Sequence, residues 1–142
     1  MRTLLCAALA VAACAPGEKK SAAPAAAQKY TGTWEGRSYR SASDTGVPYR
    51  VVMALVADGS LRGTLTYTSV TAPPVAIRVR EFSDTSLVQE LGPFFSQVAK
   101  RDVVARAVGR VTGDSLSGTF ELRAPEGGDV IMSGTFRTKK VP

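Results

Sequence analysis

The chain of 142 residues has no histidine, a single tryptophan and only two cysteines. Without histidine there is no Ser-His-Asp or Cys-His pair to activate a nucleophile and no imidazole base near neutrality. Most zinc sites are excluded for the same reason. Cys6 and Cys14 both lie at the extreme N-terminus, so nothing beyond them can be cross-linked by a disulfide. No apolar run approaches the ~20 residues that span a bilayer. Helical periodicity is missing from Tyr30 onward. The acidic residues that a carboxylate hydrolase would need stand mostly at turns (Asp58, Asp84, Asp114, Asp129) or among arginines, where structural roles are the better account. The formal charge of +6 is also milder than it looks. Four of 18 basic and one of 12 acidic residues precede Tyr30, which leaves the rest at +3 with no basic stripe interleaved with aromatics. Nucleic acid is therefore not an expected partner, no cofactor or metal is implied, and the chain is not expected to be an enzyme.

What is present falls into three zones. Residues 1–13 run from Met1-Arg2 through an apolar stretch to Val11-Ala12-Ala13, directly before Cys14. A basic start, a short apolar run and small residues before the cut describe a secretory signal. Residues 14–29 are built from Ala, Pro, Ser, Gly and a few charges, and read as a flexible tether. As a coil, fifteen residues reach about 20 Å. Residues 30–142 alternate apolar and polar side chains between glycines and form the folded domain.

Val11-Ala12-Ala13-Cys14 resembles the bacterial lipobox, in which the signal is cut before the cysteine and the thiol is acylated. The resemblance implies an exported lipoprotein held to membrane lipid through Cys14 by several acyl chains; two or more such chains anchor stably. Ala15, rather than an aspartate, follows the cysteine. By analogy with Gram-negative sorting, that implies the outer membrane. The competing reading is an ordinary signal cut after an A-x-A site, with Cys14 as a spare thiol.

In the domain, period-two alternation recurs between turns and predicts eight strands near 32–40, 49–56, 61–68, 75–82, 86–91, 102–111, 116–123 and 130–138. Asp58-Gly59, Gly113-Asp114 and Gly127-Gly128 are hairpin signals, and Pro73-Pro74 ends a pairing. Leu61-Arg62-Gly63-Thr64-Leu65, Leu116-Ser117-Gly118-Thr119-Phe120 and Met132-Ser133-Gly134-Thr135-Phe136 repeat one pattern, apolar-x-Gly-Thr-apolar. Its glycine lets a strand bend or a neighbour pack across it. The predicted fold is all-β, a small eight-stranded antiparallel up-and-down meander closed, or nearly closed, into a barrel. Arg62, Arg78, Arg80, Arg106, Arg110, Arg123 and Arg137 share the parity opposite to Leu61, Leu65, Ile77, Val79, Phe120, Met132 and Phe136. A solvated exterior is the simpler account of the arginines; a cationic lumen for an anionic ligand is the other.

Thr31-Gly32-Thr33-Trp34 and the hairpin Ala57-Asp58-Gly59-Ser60-Leu61-Arg62-Gly63-Thr64 resemble the opening of the avidin/streptavidin barrel, and Gly32-x-Trp34 resembles the lipocalin opening. The resemblance implies a calycin-like barrel. It does not imply biotin, because a biotin pocket is walled by several tryptophans and only Trp34 is available. The lipocalin likeness further implies a basic residue stacked on the opening tryptophan, for which Arg137 is the candidate. At 113 residues the domain is short, and its cavity is expected to be small or filled by side chains.

Two segments remain. Gly113-Asp114-Ser115-Leu116 spells a hydrolase signature, but that chemistry needs a strand-to-helix junction and a downstream histidine; here the segment reads as a hairpin. Leu91-Gly92-Pro93-Phe94-Phe95-Ser96-Gln97-Val98-Ala99-Lys100-Arg101 breaks the meander. Its phenylalanines either plug the open end of the core or form a lid or hydrophobic tip. The expected function is a membrane-anchored, non-enzymatic module whose ligand site lies at a mouth near Trp34, Tyr67, Phe94 and Phe95, with Arg137. Its partners would be a hydrophobic or anionic small molecule or an envelope protein. The rival is a solid-cored structural or assembly lipoprotein acting through its surface.

Overall fold

The computed structural model describes residues 23–142. Cys14, the lipobox and the signal segment lie outside the described residues. A short helix, α1 (Ala23–Gln28), is followed by eight strands: β1 (Gly32–Tyr39), β2 (Val47–Leu55), β3 (Leu61–Tyr67), β4 (Val75–Phe82), β5 (Ser86–Ser96), β6 (Arg101–Thr112), β7 (Ser115–Arg123) and β8 (Met132–Lys140). Each strand pairs antiparallel with the next, and β1 pairs with β8 from Trp34↔Lys140 to Tyr39↔Thr135, so the barrel is closed. Closure leaves no edge strand.

All eight strands lie where alternation places them. The parity also holds: Leu61, Leu65, Ile77 and Phe136 are buried, while Arg62, Arg78, Arg80, Arg106, Arg110 and Arg137 are exposed and Arg123 is half-exposed. The arginines therefore coat the outside, and the cationic-lumen alternative is ruled out. They meet acids across the strands. Arg78, Glu90, Arg106 and Glu121 stand opposite one another in a row that crosses β4 to β7. Arg50 Nε donates to Glu35 at 2.8 Å, and Arg80 reaches Glu90 at 2.8 Å. Such exposed pairs contribute a few tenths of a kcal/mol each and mainly fix register.

The repeated glycines are sites of close approach. A Cβ on Gly134 would run into the Tyr39 carbonyl and the Phe120 ring, and one on Gly118 would meet the Val108 carbonyl across the ladder.

The segment after Leu91 departs from expectation. It does not leave the meander; β5 continues to Ser96. The register moves from Leu91↔Ala105 to Phe94↔Val103, so β5 holds one residue more than β6 over this step, a bulge. Gly92, with φ of 103°, supplies the left-handed backbone that the bulge uses. Glycine and proline hid a strand that bends rather than ends. Gly113-Asp114 is a two-residue hairpin between the paired Thr112 and Ser115, so the hydrolase-like tetrapeptide is indeed a turn.

The stretch read as a tether also differs at its end. Residues 23–28 form α1, and Ala27 is fully buried in the core. An Ala/Pro-rich composition that reads as linker can still supply a small side chain that fits against a barrel end.

Candidate functional site

An up-and-down barrel has two unlike ends. The loops β2–β3, β4–β5 and β6–β7 share one end with the N-terminal entry; the loops β1–β2, β3–β4, β5–β6 and β7–β8 share the other.

The first end is closed. Tyr30 and Trp34 are buried there and line the floor of the interior. The Tyr30 hydroxyl sits between two acceptors in the β4–β5 turn, the carbonyls of Ser83 (2.7 Å) and Ser86 (2.9 Å). Its ring packs edge-on against Phe82, with centroids 6.2 Å apart. Trp34 Nε1 donates to the Tyr30 carbonyl at 2.9 Å. Lys140 Nζ donates to the carbonyl of Lys29 at 3.1 Å and lies 5.5 Å from the Trp34 ring centroid. The cation on the opening tryptophan is therefore Lys140. Arg137, three residues earlier on β8, points outward opposite Arg37 and takes no part in the interior.

Above this floor the barrel encloses a cavity of about 860 Å³. That lies within the range of small-molecule sites, ~300–1,000 Å³. The expectation of a small or filled interior is thus overturned, and with it the solid core of the rival reading. Chain length was a poor guide because eight strands set the circumference, and short connections account for the missing residues. The interior stays open because one wall carries little bulk: β6 turns Ala105, Ala107 and Gly109 inward, and β1 adds Ser38.

The lining is apolar, with Met53, Leu65, Ile77 and Phe136 among its side chains. Its charged members, Arg40, Asp44 and Asp102, belong to the mouth, where Arg40 and Asp44 pair at 3.5 Å. The backbone N–H groups of Arg40 and Gly46 hold the Asp44 carboxyl below its ordinary range. Deeper in, the polar groups are neutral. Thr138 donates to the Leu116 carbonyl at 3.0 Å. Tyr49 and Tyr67 face each other across β2 and β3. Burial pushes the Tyr49 hydroxyl well above the usual tyrosine range, with smaller contributions from Tyr67 and Tyr39, and burial raises Tyr67 as well. Both keep their protons at any physiological pH. Gln89 on β5 is 9% exposed and lines the same cavity.

The predicted site residues are thus split. Tyr67 lines the cavity, and Phe94 lines it while packing on the core. Phe95 stands at the rim, 55% exposed, so of the two phenylalanines one seals and the other is a tip. Trp34 belongs to the floor and not the mouth, and Arg137 lies outside. Sequence reasoning missed Gln89, Tyr49 and Lys140. Parity alone could have found the first, because Leu87, Gln89 and Leu91 alternate with outward residues on β5.

No family model matches the chain, and no curated protein does. Among solved structures, the crystal structure of Echinococcus granulosus fatty-acid-binding protein 1 is similar, with 13% sequence identity and a TM-score of 0.48 over 81% of this chain and 99% of that one. A likeness at that level says nothing of what this barrel holds.

Proposed function

We propose that the protein is a lipid-anchored, non-enzymatic binding module that carries one hydrophobic small molecule inside its barrel. The observation that carries this reading is the cavity of about 860 Å³, apolar, open at one end and free of charge in its depth. Burying apolar ligand surface there gains about 25 cal/mol per Å² before the costs of association. The lipobox-like Val11-Ala12-Ala13-Cys14 supports export and anchoring through an acylated Cys14 in the outer membrane. With that anchor, the protein stands on its closed end, because the described chain enters beside Tyr30 and the mouth opens at the far side.

Two experiments test this. A solvatochromic hydrophobic dye titrated into the mature protein should bind with one-to-one stoichiometry. Ala107→Trp, which places an indole in the lumen, should abolish that binding while the far-ultraviolet circular dichroism stays that of a β-barrel. Dye binding unchanged by Ala107→Trp would remove the interior site. For the anchor, Cys14→Ser should shift the protein from the membrane to the soluble fraction and end its labelling by an alkyne fatty acid. A wild-type protein that takes up no label would end the lipoprotein reading.

A further inference from the structure

Three inward polar residues in the barrel are nine-tenths buried: Gln89, Ser96 and Thr138. Ser96 accepts a hydrogen bond from the Ala99 N–H at 3.1 Å, and Thr138 donates to Leu116 at 3.0 Å. The Gln89 side chain bonds to no other described residue. No described side-chain N or O is both fully enclosed and unpaired, so the Gln89 amide must face the cavity space itself. An amide set in an apolar wall with no protein partner is disfavoured until something in the cavity meets it, a cost that a leucine at the same place on β5 would not carry. Leu87 and Leu91 occupy the flanking inward positions. Tyr49 and Tyr67 also line this space, and their hydroxyls have no partner among the described residues.

We infer that the cavity selects an uncharged amphiphile, an apolar body carrying a group that both donates and accepts hydrogen bonds, such as a carboxamide or hydroxyl, and that Gln89 is the residue that recognises it. The inference rests on the binding reading above and adds the chemical class of the ligand. A glutamine amide offers two donors and one acceptor, and a neutral head group matches both. A carboxylate does not. It would enter a low-dielectric lumen whose charged border residues, Arg40, Asp44 and Asp102, all sit at the mouth, and an unpaired buried charge costs far more than an unpaired dipole.

A series with one chain length separates the possibilities: dodecanamide, dodecanol, dodecanoate and dodecane, each competing with the hydrophobic dye at pH 8 on the mature protein. Dodecanamide and dodecanol should compete about ten-fold better than dodecanoate. Gln89→Leu should weaken dodecanamide about ten-fold, the scale of one lost hydrogen bond in an apolar site, and leave dodecane unchanged or tighter. Thermal unfolding of Gln89→Leu should occur at or above the wild-type temperature; if that variant does not fold, Gln89→Met carries the same test. Dodecanoate competing as well as dodecanamide, or dodecanamide unaffected by loss of Gln89, overturns the assignment while the binding reading survives. Failure of every member, dodecane included, overturns both.

Discussion

The two ends of this barrel handle their polar and apolar groups in opposite ways. At the closed end, Tyr30, Trp34, Lys140 and the β4–β5 turn are tied together by hydrogen bonds, and the salt bridge from Lys29 to Asp84 at 3.3 Å lies beside them. At the open end the apolar residues are left to solvent. Of the eight large hydrophobics that are exposed among the described residues, six stand on or next to the mouth loops: Val47, Val70, Phe95, Val98, Val130 and Ile131. Buried polar groups that are satisfied make a surface rigid and specific, whereas exposed apolar clusters mark places where something apolar arrives. One end is shut by its own side chains, and the other is open with an apolar rim.

The strongest way to break this contrast is Trp34→Ala. Trp34 is 2% exposed, forms the floor and carries the Lys140 contact, so its removal should cost about 3–5 kcal/mol in urea unfolding. A loss below about 1 kcal/mol would mean that the floor is not what closes the barrel. Next in size is an effect that belongs to the open half. Because burial raises the Tyr49 hydroxyl, the unfolded chain releases that proton near pH 10 while the folded chain holds it. Stability is therefore whole below pH 10 and falls above it by up to about 1.4 kcal/mol per pH unit. Tyr49→Phe should make that alkaline decline shallower in unfolding curves at pH 7 and pH 11, with Tyr30 and Tyr67 keeping a share of it, and it should not alter the acid side. Between about pH 5 and 9 no deep cavity group titrates, so affinity for dodecanamide should not vary there.

Most of the barrel was legible from alternation, because a closed sheet buries one face of every strand and the period-two signal is therefore strong in all eight. The places that misled were those where local composition and tertiary use diverge. Gly92-Pro93 looked like a break and is a bulge. Ala23–Gln28 looked like tether, and Ala27 is core. The site was less legible than the fold. A cavity is a volume left by small side chains on strands distant in sequence, such as Ser38 and Ala107, and no local pattern reports it. Arg137 and Lys140 show the same limit more finely: both are cations on β8, alternation turns Arg137 outward, and the register Trp34↔Lys140 sets the other beside the ring.

That pair offers a graded test of the closed end. Lys140→Met keeps the apolar stem and removes the ammonium, its carbonyl partners and the ring contact; about 1 kcal/mol should be lost. Arg137→Met should cost nothing measurable, because the Arg137 side chain is exposed and bonds to no described residue. Equal effects would return the ring contact to Arg137.

The smallest expected effect on stability is the most telling for the open end. Phe95 and Val98 are 55% and 56% exposed, so Phe95→Ser combined with Val98→Ser should change unfolding free energy by no more than about 0.5 kcal/mol for each substitution. The deep cavity residues are untouched, and equilibrium affinity for dodecanamide should stay within about two-fold. The rate is where the rim should matter. A ligand that leaves a bilayer for the cavity must cross the mouth, and apolar tips shorten its exposure to water. Transfer of dodecanamide from phosphatidylcholine vesicles, followed by stopped-flow displacement of the dye, should slow several-fold in the double variant. Transfer at the wild-type rate would show that the exposed apolar rim is not part of the entry path, and that the two ends differ in closure alone.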